Sequence, residues 1–200
     1  LNVGEGGIST DGLVSAGALD ESMKIDPTIV GRYEIDDGGS HKGVFVSGKT
    51  AYVIADYFAS TYNIEILDVS NPKSPARIGF SAGSNLDTIS SISDPFVVGK
   101  YAYVAYDDDL FPSLDIFDLS SSTAPSVVGT LASSGFDGAS GIYVSGKYAY
   151  VANTVDNSLR IIDISNPSTP TIIGGVASST VLKGAASVYV SGGYAYVTAG

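Results

Sequence analysis

An all-β fold of repeated antiparallel sheets is what this 200-residue chain predicts, and three observations carry that expectation. One phrase is written four times: Gly43-Val44-Phe45-Val46-Ser47-Gly48-Lys49-Thr50-Ala51-Tyr52-Val53 returns at 95–104, 141–151 and 187–197. Its anchoring tyrosines, Tyr52, Tyr103, Tyr150 and Tyr196, stand 51, 47 and 46 residues apart. A period of that length is what stacked or radial β-repeats leave in sequence. The composition agrees: 44% apolar, 16% charged, with 24 Gly for turns and 13 Tyr among Val and Ile for strands.

The third copy shows the order of elements most clearly. Its first strand covers 142–144, and Ser145-Gly146-Lys147 turns the chain. The second, 148–152, alternates Tyr148 and Tyr150 with Ala149 and Val151, the two-residue period of a strand. The third covers 159–164, and Ser165-Asn166-Pro167-Ser168 turns the chain again. Residues 171–173 make the fourth, with Pro170 at its start, where an outer edge tolerates a missing N–H. The other copies repeat the plan, with third strands at 64–69 and 114–119 and fourth strands opening at Pro75 or Pro125 and ending at Gly79 or Gly129. Four short antiparallel strands at this spacing describe one blade of a β-propeller.

Three complete blades are therefore expected, at about 43–80, 95–130 and 141–176, with a partial blade at 187–200. Pro27-Thr28-Ile29-Val30-Gly31 parallels Pro170-Thr171-Ile172-Ile173-Gly174 and reads as an orphan outer strand. Residues 1–23 read as an extended, flexible segment ahead of propeller repeats over 24–200. Together the two ends supply strands one, two and four of a blade and lack the third. Three accounts stay open: a longer propeller, an imperfectly closed four-blade ring, or a segment 1–23 that completes a neighbouring subunit by strand addition.

The third-strand phrases Ile64-Glu65-Ile66-Leu67-Asp68-Val69-Ser70-Asn71-Pro72 and Leu159-Arg160-Ile161-Ile162-Asp163-Ile164-Ser165-Asn166-Pro167 resemble the LVIVD repeat. The likeness covers roughly 24–200, and the second copy departs from it with Ser121-Ser122 in place of Asn-Pro, which predicts a looser turn. The resemblance implies a propeller with a scaffolding, adhesive or binding role, in a family found in bacterial and archaeal proteins that are often secreted or surface-attached. It supplies no catalytic set.

Charge excludes some partners. A formal net charge of −11 offers no basic footprint for nucleic acid and disfavours anionic lipid. With 0 Cys, disulfides and thiolate metal sites are not available. No apolar run reaches the roughly 18–20 residues of a membrane helix. The chain starts at Leu1 with no basic-then-apolar leader, and an exported, processed protein is the expectation.

In a propeller blade the short turns share one side and the long connections the other. The long connections here are 56–63, 106–113 and 153–158 within blades, and 81–94, 131–140 and 177–186 between them. Variable loops on a rigid scaffold are where binding usually sits. Tyr57, Phe58, Tyr62 and Phe111 are the ligand-binding candidates, as a sugar-stacking or protein-contact patch, against packing over the adjacent blade. Asp107, Asp108 and Asp109 are the calcium candidates, but their spacing does not match a calcium loop and a solvated acidic tip is favoured. Asp68, Asp118 and Asp163 recur at one strand end, where an acceptor for the following turn explains them better than a ring of ligands does.

No catalytic residue is assigned. His41 is the sole histidine, so a Ser–His–Asp system would hang on it, and no G-x-S-x-G occurs. Two-carboxylate glycosidase chemistry is compatible with the composition, although nothing in the sequence places two acids in a cleft. The reading is an extracellular or cell-surface structural or interaction module, a candidate self-assembling subunit, with calcium as the only cofactor considered. Its expected partners are its own copies, other surface proteins or glycans. The alternative is a carbohydrate-binding or polysaccharide-modifying propeller that uses the long-loop face.

Overall fold

A computed structural model of the chain describes residues 7–8, 14–15, 28–34, 40–57, 61–85, 89–108 and 113–200. It divides into two units, 1–32 and 33–200. In the first, β1 (Gly7–Ile8) and β2 (Val14–Ser15) pair antiparallel. Most of 1–23 lies outside the described residues. Of the orphan outer strand expected at 27–31, Pro27 lies outside the described residues and 28–31 carry no strand. An outer strand needs a third strand beside it as a ladder partner, and the described residues provide none there. Ile29 is accordingly 90% exposed.

The second unit is all-β, as the repeats predict. Blade one is β3 (Ser40–Ser47), β4 (Thr50–Tyr57), β5 (Thr61–Asp68) and β6 (Ala76–Asn85), in that spatial order. Blade two contains β7 (Ile89–Ile92), β8 (Phe96–Val98), β9 (Tyr101–Asp108), β10 (Ser113–Asp118) and β11 (Ser126–Ala132). Blade three is β12 (Ala139–Ser145), β13 (Tyr148–Asn153), β14 (Ser158–Asp163) and β15 (Thr171–Ala177). A fourth, partial blade holds β16 (Ser187–Ser191) and β17 (Tyr194–Thr198). All pairings are antiparallel between neighbours, so each blade is a meander.

Local sequence explains the corners. In the first turn of every blade, Gly48, Gly99, Gly146 and Gly192 sit at φ of 57–60°, where a side chain would be strained. After the third strand, Asp68, Asp118 and Asp163 accept the backbone N–H of Ser70, Ser120 and Ser165 at 2.8, 2.8 and 2.9 Å. These are the turn acceptors the sequence leads one to expect. The third and fourth strands of each complete blade share one bulge, between Ile66 and Leu67, Ile116 and Phe117, and Ile161 and Ile162.

Blade two differs in two places. Its first strand is split, since Ser93-Asp94-Pro95 separates β7 from β8 while both pair with β9. Pro95 has no N–H to give the ladder. Ser93 bridges the break: its N–H donates to the Ala105 carbonyl at 2.8 Å, and its Oγ accepts from the Ala105 N–H at 3.0 Å. The Ser121-Ser122 turn is also closed rather than loose, because Ser121 Oγ accepts the Ala124 N–H at 3.1 Å. A serine hydroxyl there does the work that the Asn71 and Asn166 carboxamides do elsewhere, which accept Lys73 and Ser168 N–H groups.

The core lies between blades rather than within one. Ile54 and Ile64 of blade one meet Val97, Ala102, Val104, Tyr106 and Phe117 of blade two. Tyr103, Ala105, Leu114 and Ile116 on the other side of blade two meet Val144, Ala149, Val151 and Ile162 of blade three. Ala152 and Leu159 then meet Ala185 and Val188 at the fourth blade. Because side chains alternate along a strand, each blade offers one apolar face to each neighbour. No single sheet could bury both.

Candidate functional site

Four first strands carry an aromatic at one repeat position, and the fold stacks them. Phe45 lies 5.7 Å from Phe96, Phe96 4.9 Å from Tyr143, and Tyr143 4.9 Å from Tyr189, centroid to centroid. The rings are tilted or edge-on, the arrangement aromatic quadrupoles prefer. Burial, and then the neighbouring Tyr189, push the Tyr143 hydroxyl above its usual range. Among the described residues the ladder runs through all four blades, and its last rung, Tyr189, is 59% exposed. Sequence reasoning passed over it in favour of the Tyr-Ala-Tyr anchor; one aromatic per period at the first strand was the available signal.

Each joint has two chemically distinct sides. The side facing the next blade carries the aromatic rung and the anchoring tyrosine: Phe45 and Tyr52, Phe96 and Tyr103, Tyr143 and Tyr150. On the side facing the previous blade the second strand carries small and aliphatic residues, as in Ala102 and Val104 or Ala149 and Val151, all fully buried, and blade two adds Tyr106 and Phe117. On blades four and one, part of one such side is exposed. On blade four Tyr189, Tyr194 and Tyr196 are 59, 69 and 60% exposed, and on blade one Val44 and Val46 are 57 and 59% exposed. Beside those valines Ala51, Val53 and Leu67 are buried under Tyr33 and Val69.

Two cavities lie among the described residues of the blades. One of about 420 Å³ opens on blade one, lined by Tyr33, His41, Lys42, Val44, Val53, Leu67 and Asp94. The His41 ring there packs 6.0 Å from Tyr33. The other, about 430 Å³, lies between blades three and four, among Tyr148, Tyr150, Ile161, Val190, Tyr194 and Ala195.

The long-loop candidates meet mixed fates. Phe58, Asp109 and Phe111 lie outside the described residues. Tyr57, Tyr62 and Asp108 fall at strand ends in β4, β5 and β9, and their side chains lie outside the described residues. Asp107 is inside β9, opposite Ser91 and 7% exposed, so the strand runs further than the sequence suggests. Among the described residues no three acids or histidines are placed to hold a metal ion, and no helix is long and apolar enough to cross a membrane.

Two of the long loops contribute residues to the core. In 131–140 a 3-10 turn, Ser134–Phe136, drives Phe136 completely into the joint of blades two and three. The turn is fixed from both sides, by Ser133 Oγ accepting from Gly135 N–H at 3.2 Å and by Arg160 Nε donating to the Gly135 carbonyl at 3.1 Å. In 177–186 Ala185 is fully buried, and Gly184 N–H donates to Asn157 Oδ1 at 2.8 Å.

Comparison with known proteins agrees with this geometry. Residues 38–80, 91–132, 138–178 and 183–200 match the LVIVD repeat. The structure is similar to that of a Bacteroides fragilis protein described as a candidate 6-phosphogluconolactonase, with a TM-score of 0.57 at 17% identity over 72% of this chain. It is also similar to a functionally unknown protein from Desulfotomaculum acetoxidans, with a TM-score of 0.45 at 13% identity over 81% of this chain. The chain spans 41% and 63% of the lengths of these two structures. No curated protein sequence matches it.

Proposed function

We propose that this chain, which belongs to the LVIVD repeat family, works as a structural or interaction module of the cell exterior that assembles with copies of itself. One observation carries the reading. Residues of the kind packed at the internal joints lie exposed on blades four and one, at Tyr189 and Tyr196 on the one and Val44 and Val46 on the other. Repeat units that cannot hide their apolar faces alone gain stability by stacking, and clustered apolar exposure of this kind marks an interaction site. The net charge of −11 keeps such particles soluble and discourages indiscriminate contact. The exterior location rests on the resemblance to secreted and surface-attached relatives.

Light scattering and negative-stain electron microscopy of the purified chain over a range of concentrations test the reading. Multi-subunit particles are expected; a monomer throughout would remove its basis. A glycan array bound by the protein, with binding lost on Tyr57→Ala or Phe111→Ala, would point to sugar recognition instead.

A further inference from the structure

We infer that Tyr143 and Tyr189 form a site of oxidative cross-linking, at which one-electron oxidation joins the two rings as dityrosine and ties blade three to blade four. Both residues lie within paired strands, β12 and β16, so the site exists whether or not copies of the chain assemble. Their ring centroids are 4.9 Å apart and their planes stand at 64°. The rings of a biaryl lie little closer than that and are also twisted out of one plane, so a short movement brings ring edge to ring edge. The two phenol groups are neighbours as well, since Tyr189 acts on the Tyr143 hydroxyl by charge and by hydrogen bonding. In ortho-linked dityrosine the hydroxyls likewise flank the new bond.

The rest of the ladder and the composition single this pair out. Phe45–Phe96 offers no phenol and Phe96–Tyr143 only one, whereas Tyr143–Tyr189 offers two. The chain has 0 Cys, 0 Trp and a single Met against 13 Tyr, so neither thiol nor indole competes to give up an electron. Each phenol loses one electron and its O–H proton and becomes a phenoxyl radical with spin on its ortho carbons. A C–C bond then forms between one ortho carbon of each ring, and the two displaced ring protons move to the oxygens. In sum two electrons and two protons leave. Hydrogen peroxide, acting through a haem peroxidase, takes all of them and becomes two waters. The link closes a loop about one repeat long, which stabilises the fold as a disulfide would by constraining the unfolded chain, in a sequence with no cysteine to form one.

Photo-oxidation of the dilute protein with ruthenium tris-bipyridyl tests it, persulfate taking the two electrons. Dityrosine fluorescence, denaturing gels and tandem mass spectrometry of a digest are the readouts. The expected product runs as a single chain, melts higher than untreated protein, and carries its main cross-link between Tyr143 and Tyr189, two hydrogens below the summed peptide masses. Tyr143→Phe and Tyr189→Phe should each lose that link and most of the fluorescence. Both keep the stack, because phenylalanine is the residue at the same rung in blades one and two. Tyr189→Phe combined with Phe96→Tyr should restore a link, now between position 96 and Tyr143, whose centroids are also 4.9 Å apart. Undiminished fluorescence in the single variants overturns the site, as does a wild type linked only at other tyrosines or only between chains. A wild type that forms no dityrosine where N-acetyltyrosine couples under the same light overturns it too. A double variant that stays unlinked removes ring proximity as the selecting cause, and the inference falls with it.

Discussion

The backbone carbonyl of Ser122 lies in the space that a side chain on Gly79 would need. The third-to-fourth turn of blade two thereby rests on the fourth strand of blade one. One repeat later the Pro167 carbonyl stands over Gly129 in the same way. Glycine at this position is a close-approach requirement, with the turn of each blade locking the outer strand of the one before. Gly174 is the third member of the set, and nothing lies within 4 Å of the place its Cβ would take. Among the described residues blade four has only β16 and β17, so no turn reaches it.

Alanine should therefore act differently at three positions that look alike in sequence. Gly129→Ala and Gly79→Ala each force a backbone apart and are expected to cost about 1–3 kcal/mol, the usual range for overpacking. Gly174→Ala meets open space and lies outside the positive-φ group, so it should be neutral or add about 0.4–1 kcal/mol through the unfolded chain. Urea unfolding of the three variants measures this. Equal losses at all three would show that Gly174 is already covered.

Acid should loosen the outer turns through their aspartates. Hydrogen bonds from Ser120, and then Lys100 at 2.9 Å, hold Asp118 down at about 2, and bonds from Ser70 and Ser165 lower Asp68 and Asp163. A depressed folded-state value means the contribution is complete above the ordinary carboxylate range. It is lost as pH falls from about 4 through the folded-state value, near 2 for Asp118. Asp118→Asn, which keeps an acceptor for the Ser120 N–H, should flatten the stability profile between about pH 4 and 2. An unchanged profile would mean that the turn does not sense the charge.

The ladder should be more costly to break in its middle than at its end. Phe96 contacts a ring on each side, whereas among the described residues Tyr189 contacts Tyr143 alone. Each aromatic pair is worth about 0.5–1.5 kcal/mol beyond its buried area. Phe96→Leu is thus expected to cost about 1–3 kcal/mol and Tyr189→Leu about half of that. Thermal melts of the monomeric chain compare them.

Much of this architecture was legible because it is written repeatedly. The recurring phrase marks the strands, and the Asp at each third-strand end marks its turn, since a repeated polar residue at a corner has a local job. The long loops were harder to read. Phe111 and Phe136 are both apolar residues in polar connections, and only packing decides that Phe136 fills a joint. The outer strand at 27–31 looked as good as 170–174, yet a strand phrase without a neighbouring ladder is just a phrase. The split in blade two was hidden because Pro95, which stands where the other copies have Val44, Ile142 and Val188, also reads as a strand start.

That split yields the sharpest local prediction. Ser93 is 1% exposed, and its Oγ is the acceptor for the Ala105 N–H where Pro95 and its neighbours interrupt the ladder. Ser93→Ala keeps the backbone bond from Ser93 N–H to the Ala105 carbonyl but removes that acceptor. A buried donor left without a partner costs about 1–3 kcal/mol, because folding then strips it of water for no return. Global stability should fall by that amount, and exchange of the Ala105 amide should quicken more than that of Tyr103 or Val104 on the same strand. Ser93→Thr, which keeps the hydroxyl, should restore slow exchange at Ala105 if the extra methyl fits. If Ser93→Ala leaves the Ala105 amide as slow as its neighbours, the hydroxyl is not what bridges the break, and the ladder must close over Pro95 by another route.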